Sequence, residues 1–173
     1  MTTGSDIRRA RFVVSYRGTA FRGAAESPGV RTVIGELRAA CEQILGQPIE
    51  FTLAGRTDAG VHALGQVISC DLPDAVDPSD LAHRLSRMCA PDIAVRSGDW
   101  APDDFNARFS ASSRSYRYHV WNAPEGNPLL HDLTWHVAQP LDLDLMNEAA
   151  QAVVGQHDFS SFLSLIHISE PTR

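Results

Sequence analysis

Lysine is absent from the sequence: all 15 basic side chains among the 173 residues are arginine. Because arginine codons are mostly GC-rich and lysine codons AT-rich, a GC-rich genome accounts for this bias. No apolar run approaches the ~18 residues that a membrane span needs, and the N-terminus lacks the apolar segment of a secretory signal. We therefore expect a cytoplasmic protein without membrane association.

Cysteine is scarce, and its spacing excludes a disulfide scaffold. Cys41, Cys70 and Cys89 stand far apart and form no CxxC pair, so we expect reduced and mostly buried thiols. No HExxH motif occurs, and His131 and His136 lie at i and i+5, which does not place them on one helical face. We therefore predict no metal site.

The net charge of -6 argues against a nucleic-acid partner, because phosphate binding needs cations. The average hides an asymmetry along the chain. Residues 1–60 hold 8 arginines and 6 acidic residues, a net of +2, whereas residues 61–173 hold 7 arginines and 15 acidic residues, a net of -8. The total charge therefore does not exclude RNA binding by the first part of the chain.

The length and the 43% hydrophobic content fit one soluble domain or two small ones. Residue patterns predict helices over 33–45, 78–88 and 143–154, with Thr32 as the N-cap of the first and Gly46 at its end. They predict strands over 10–16, 49–54, 61–72, 92–96, 114–122 and 133–138. Alternating strands and helices favour one mixed sheet covered by helices.

The segment AGRTDAGVHALGQ, residues 54–66, is the most informative part of the chain. It joins two predicted strands, so it is exposed at the end of the sheet. Gly55 and Gly60 allow a tight turn and a close approach to a ligand. Arg56 and Asp58 are near enough to pair, which would keep the carboxylate ionised as a nucleophile or base. The alternative from spacing alone is an Asp that caps its own turn.

Several segments, in chain order, resemble one family. They are SYRGTAFRG, TVIGEL, the GRTDAGVHALGQV string, PDIAV, FNARFSASSRSYRYHVWN and HDFSSF, over about residues 11–162. Together they resemble the tRNA pseudouridine synthase A family, which isomerises uridines at positions 38 to 40 of the anticodon arm. Ala24 and Ile34 depart from the family pattern, which has Trp and Gln at these places.

The resemblance implies an α+β fold: a mixed, largely antiparallel sheet with helices packed on one face, similar to an RRM. Residues 1–162 correspond to the N-terminal catalytic half, and the C-terminal half is absent. Residues 163–173 (LSLIHISEPTR) look like a translated sequencing adapter, so we interpret them as a non-native tail. We expect this fragment to be inactive alone and to expose a sheet edge.

The resemblance also implies the roles of individual residues. Asp58 attacks the ribose C1′ or otherwise assists breakage of the glycosidic bond, Arg56 pairs with it, and Tyr116 packs on the flipped base. Tyr118 is the competing aromatic residue on the same predicted strand face. Substrate-binding roles fall to eight further residues: Arg17, Arg22, Gly55, Thr57, His62, Gln66, Arg108 and Arg114.

The family uses no cofactor or metal, takes tRNA as its partner and forms homodimers. An alternative is an α/β module that binds RNA without turnover, although no RNP1-type octamer with interleaved aromatics appears. A second alternative is an unrelated hydrolase with Asp58 as its nucleophile. That enzyme would need a second acid or a metal nearby, and the sequence signals neither.

Overall fold

The computed structural model of the protein describes residues 7–162. They fall into two units, of which the first ends at Tyr116 and the second begins at Arg117. The segment that we interpret as a non-native tail, residues 163–173, lies outside the described residues. Between residues 7 and 162, no helix is long and apolar enough to cross a bilayer.

Four antiparallel strands form the sheet of the first unit. They are β1 (Ile7–Tyr16), β2 (Thr52–Leu53), β3 (Ala63–Pro73) and β4 (Ile93–Trp100), side by side in the order β2-β3-β1-β4. β1 is therefore a central strand. The strands predicted over 10–16 and 61–72 are confirmed, whereas that over 49–54 shrinks to β2 and that over 92–96 extends to Trp100.

Two helices of the first unit, α1 (Val33–Leu45) and α2 (Pro78–Met88), have the predicted bounds. The Thr32 side chain caps α1 by accepting the Gly35 N–H, and Gly46 ends it in the left-handed region at φ 70°. Asp77 caps α2 in the same way, by accepting the Ser79 N–H. Because these signals are local, the sequence specifies both helices well.

The core lies on one face of the sheet. Alternate residues of β1, from Ala10 through Phe12 and Val14 to Tyr16, are buried there. Inward-facing residues of both helices belong to the same core, with Leu37 of α1 and Leu85 of α2 at most 1% exposed. Burying each such leucine stabilises the fold by about 1.5–3 kcal/mol. Both helices therefore cover the same face of the sheet. Residues of the segment after β4 lie at the other face, where the Ala107 N–H donates to Ser69 Oγ.

The second unit contains a parallel pair of strands, β5 (Val120–Asn122) and β6 (Trp135–Val137), and a helix, α3 (Leu143–Gln151). The predicted strand over 114–122 is wrong for residues 114–119, which have no ladder. A strand needs a hydrogen-bonding neighbour, and within 114–122 only residues 120–122 pair with another strand, although the His119 carbonyl oxygen also accepts the Trp135 N–H at 2.8 Å. Tyr116 and Tyr118 are exposed accordingly.

The predicted α+β class, with a largely antiparallel sheet and helices on one face, is confirmed. The expectation of one mixed sheet is wrong in detail, because the parallel pairing belongs to a separate two-stranded sheet. The predicted strand over 133–138 and helix over 143–154 are both shorter than expected, at 135–137 and 143–151. Element ends fray and depend on their surroundings, so such differences are common.

Gly98 of β4 lies where α2 meets the sheet. A Cβ at this position would lie 2.2 Å from the Pro78 carbonyl oxygen and 2.6 Å from a ring carbon of Phe12. Phe12 is the cross-strand partner of Gly98 and is fully buried. The first residue of α2 can therefore pack against β4 only because residue 98 has no side chain.

All three cysteines are free and buried, as the sequence predicts. Burial raises the pKa of Cys41 and of Cys89 from 9.0 to about 11. The pKa of Cys70 is also raised, chiefly by burial and then by the neighbouring Cys41. A thiol is nucleophilic only as the thiolate, so these groups are shielded both by packing and by protonation.

We expect Gly98→Ala to lower the free energy of unfolding by about 2–3 kcal/mol, because the new methyl group overpacks the contact between α2 and β4. Urea unfolding measures the change. Gly65→Ala is the matched control in β3: its Cβ would meet only a Val13 methyl, at 4.0 Å, so its effect should stay within about 0.5 kcal/mol. Equal effects of the two substitutions would contradict the packing argument.

We expect the folded chain to resist thiol labelling at pH 8. A rise in pKa from 9.0 to about 11 lowers the thiolate fraction about a hundredfold at that pH. A maleimide followed by mass spectrometry should add no label to native protein within the time in which urea-unfolded protein takes up three. Rapid labelling of Cys41 in the native state would show that the packing around α1 opens readily.

Candidate active site

The loop between β2 and β3, residues 54–62, lies at the end of the sheet, as the sequence predicts. Gly60 has φ +83°, a conformation that residues with a side chain rarely adopt. Arg56 and Asp58 are both exposed on this loop. A guanidinium and a carboxylate are therefore accessible to solvent on a loop that a strand anchors at each end.

Residues 18–24, which follow β1, hold this loop by its backbone. The Ala24 N–H donates to the Thr57 carbonyl oxygen at 3.0 Å, and the Gly60 N–H donates to that of Phe21 at 3.4 Å. A Cβ at Gly18 would lie 2.0 Å from the Val61 carbonyl oxygen, so the two segments touch only because residue 18 is glycine. The loop that carries Asp58 is therefore built against the end of the central strand.

His62 braces the same contact. Its Nδ1 accepts the Gly18 N–H at 3.1 Å, which leaves Nε2 as the ring nitrogen that can carry a proton. The ring is half-buried. One ring nitrogen of this predicted substrate-binding residue is thus used within the protein.

Two side chains from the strands reach the loop from the core side. The Gln66 amide donates to the Gly55 carbonyl oxygen at 2.6 Å and accepts the Gly55 N–H at 3.3 Å. The Tyr16 hydroxyl and Thr57 Oγ1 share a hydrogen bond of 2.7 Å. Sequence reasoning missed Tyr16, although a polar hydroxyl at the end of an otherwise apolar row in β1 is a signal that could have found it.

Arg114 and Tyr116 approach the loop from the segment after β4. Arg114 Nε and Nη2 both donate to the Ala54 carbonyl oxygen, at 3.0 and 2.6 Å. A Cβ on Gly55 would lie 3.4 Å from Arg114 Nε and 4.0 Å from the Tyr116 hydroxyl. The structure therefore brings both predicted residues to the Asp58 loop, although neither belongs to a strand.

A groove of about 570 Å³ opens beside the loop, entirely within the first unit. Arg11 and Val67 line it, on the sheet face opposite the helices, because their neighbours Phe12 and Ile68 face the core. Its other wall is anchored by a buried hydrogen bond from the Ala107 N–H to Ser69 Oγ at 3.1 Å. Five predicted site residues line it: Gly55, Thr57, Gln66, Arg114 and Tyr116.

The predicted pair between Arg56 and Asp58 does not form. In the part of the chain that the structure describes, no hydrogen bond or ion pair joins the two side chains, and both are exposed. Hydration accounts for this, because an exposed ion pair gains only about 0–1 kcal/mol. Both groups are therefore available to a ligand, and neither is among the residues that line the groove itself.

The other predicted arginines lie outside the groove. Arg17 and Arg22 are exposed in the segment after β1, and Arg108 is exposed with its guanidinium 5.7 Å from the Phe109 ring centre. Over residues 7–162, no three His, Cys, Asp or Glu side chains come close enough to hold a metal ion. The site is thus made of one carboxylate, arginines, an aromatic ring and hydroxyls.

The chain is similar to known proteins over most of its length. A family model described as tRNA pseudouridine synthase matches residues 12–126. A tRNA pseudouridine synthase A of Hyphomonas neptunium is 48% identical over 158 residues, 89% of this chain and 62% of the relative. Those of Cutibacterium acnes and Ralstonia nicotianae are 44% and 43% identical, over 90% of this chain and 57% and 58% of their own lengths.

The chain therefore spans about 60% of the length of these curated relatives. The matched range includes the second half of β1 from residue 12, the whole loop between β2 and β3, and both Arg114 and Tyr116. Since the family model covers well over half of the residues, the chain belongs to the tRNA pseudouridine synthase family.

Proposed function

We propose that this chain is the first part of an enzyme that converts uridine to pseudouridine in the anticodon stem-loop of tRNA, at positions 38 to 40. The observation that carries the proposal is an exposed Asp58 on a loop held from three sides, beside a groove that Tyr116 lines. The names of the relatives supply the substrate class.

In the proposed reaction Asp58 attacks the ribose C1′ or otherwise assists its separation from the base. The bond between N1 and C1′ breaks, the freed uracil rotates, and C5 bonds to C1′. The C5 proton is released and N1 gains a proton, so the reaction needs no other reactant. The Asp58 carboxylate has no hydrogen bond or ion pair to any residue between 7 and 162, which leaves it available for this step.

Tyr116 would stabilise the flipped nucleotide. Removing a base from a stem costs a few kcal/mol, and stacking on an aromatic ring returns about 1–3 kcal/mol. Tyr116 is 68% exposed while its hydroxyl lies near Gly55, so its ring is accessible to a base beside the loop. Tyr118, the competing residue, is 88% exposed and does not line the groove.

Arginines would supply the phosphate contacts. Arg56 has no partner among the described residues and extends from the same loop as Asp58, which suits contact with the target nucleotide. Arg17, Arg22 and Arg108 are exposed in the same unit and would contact flanking phosphates. Arg114 serves the loop itself through Ala54 and also donates from Nη2 to the Arg108 carbonyl oxygen at 3.4 Å, so its Nη1 group is the part that would contact RNA.

The rest of the enzyme lies outside this sequence in our proposal. Residues 1–162 form the N-terminal half, and a second half completes the pocket, so that the 173-residue chain alone is inactive. The complete enzyme works in the cytoplasm as a homodimer, without metal or other cofactor. The unburied helix α3 and the length difference from the relatives support an incomplete second unit.

We expect Asp58→Asn to lower kcat about 10²–10⁴-fold in the complete gene product, because the amide cannot act as nucleophile or base. Tritium release from unmodified tRNA labelled at uridine C5 measures turnover. Asp103→Asn, an exposed acid in the same unit, is the matched control and should be fully active. Turnover by Asp58→Asn would remove Asp58 from the mechanism, and turnover by the 173-residue chain would refute the need for a second half.

We expect Tyr116→Leu to lower kcat/KM by about 5–150-fold, the range that corresponds to a lost stacking contact of about 1–3 kcal/mol. Tyr116→Phe, which keeps the ring, should retain most activity. Steady-state kinetics on the same tRNA provides the comparison, with Tyr118→Leu as the matched aromatic substitution. A larger loss for Tyr118→Leu than for Tyr116→Leu would reverse the assignment.

A further inference from the structure

The hydrogen bonds of Tyr16 and Gln66 to Gly55 and Thr57 form one connected group, which we name the loop clamp. We propose that Tyr16 and Gln66 are positioning residues, which preset the loop that carries Asp58 through their hydrogen bonds to Gly55 and Thr57. The inference rests on the proposed function and assigns Gln66 a role different from the substrate contact predicted from the sequence.

Gln66 fixes both peptide groups that flank Gly55. The N–H of Gly55 belongs to the peptide before it and the carbonyl to the peptide after it, and one amide side chain bonds to both. Glycine is the residue with the greatest backbone freedom, so an unrestrained Gly55 would be the loosest joint in the loop. Arg56 follows directly, and Asp58 two residues later, so the restraint acts just before the reactive side chains.

Tyr16 connects the loop to the core. Its side chain is 5% exposed and ends the buried row of β1, while its hydroxyl bonds to Thr57 Oγ1 at 2.7 Å. The Gln66 amide nitrogen also lies 3.5 Å from this hydroxyl, which links the two halves of the clamp. The β1–β3 register shifts between Val14, which pairs with Gln66, and Tyr16, which pairs with Ala63, so the irregularity lies at the strand end from which Tyr16 reaches the loop.

The side chains that position the loop have hydrogen-bond partners within the protein, and the side chains proposed to act on the substrate do not. Both polar atoms of the Gln66 side chain and the Tyr16 hydroxyl already have partners inside the protein. The side chains of Arg56 and Asp58, by contrast, bond to nothing in the described chain and are exposed. A displacement of about 1 Å in a reacting group can lower a rate a hundredfold, so the clamp should act on kcat.

The test uses Tyr16→Phe, Thr57→Val and their double variant, which remove the same hydrogen bond from either side. Gln66→Leu is the independent variant for the second half of the clamp. Hydrogen exchange of residues 54–60, followed by mass spectrometry on the 173-residue chain, reports loop opening. Tritium release by the complete gene product gives kcat and KM for the same variants.

Ser86→Ala is the matched control for loss of a hydrogen bond. Ser86 Oγ bonds to the backbone carbonyl and N–H of Val95 at 2.9 and 2.6 Å, in the contact between α2 and β4. This variant should lower the melting temperature while leaving exchange at 54–60 and kcat unchanged. A purely structural role for the clamp would make the Tyr16 variant behave in the same way.

We expect each clamp variant to speed exchange at 54–60 by about fivefold or more and to lower kcat about 10–100-fold with KM nearly constant. The double variant should speed exchange and lower kcat no more than either single variant does, because both substitutions remove the same hydrogen bond. If the wild-type gene product is active, two results would overturn the positioning role alone. They are clamp variants with unchanged exchange at 54–60, and clamp variants with faster exchange but unchanged kcat. A wild-type gene product without turnover would instead refute the proposed function, and the positioning role with it.

Discussion

The contact between Gly18 and Val61 is the constraint on which the site depends. With no side chain at residue 18, the segment after β1 can lie directly against the backbone of the 54–62 loop. β1 is one of the two central strands and is packed on one face by both helices. Its end therefore brings the rigidity of the core to the Asp58 loop, through a glycine contact and through Tyr16. The position of an exposed carboxylate is thus determined by buried groups that it never meets.

This arrangement resolves two opposing demands on a reactive acid. Burial would fix Asp58 in place, but it would also penalise the charged form that the proposed chemistry needs. Here the backbone of the loop is fixed by Gln66, Ala24 and Arg114, while the Asp58 side chain stays in water. The carboxylate thus remains in contact with water, and in the proposed reaction bound RNA would exclude that water only when the substrate is present.

The features that the sequence predicted correctly are those that depend on a few adjacent residues. The caps at Thr32 and Gly46 define α1, and Gly60 marks the exposed loop, because each of these depends on a few adjacent residues. The strand over residues 114–119 fails because alternation indicates a strand only where a neighbouring strand exists. The groove and the Gln66 contact to Gly55 could not be predicted, since they join residues that are distant in sequence and follow no period.

The net charge of the chain does not describe the charge at the groove. The chain carries a net charge of -6, yet Arg11 and Arg114 line the groove, and no acidic residue is among the described residues that line it. Several acids are instead neutralised on other surfaces, such as Glu26 by Arg38 and Asp74 by Arg8. At physiological salt a charge is felt over only ~8 Å. A phosphate at the groove would therefore respond chiefly to the charges near it, Arg11, Arg114 and Asp58, rather than to the net charge of the chain, so an acidic total is compatible with an RNA substrate.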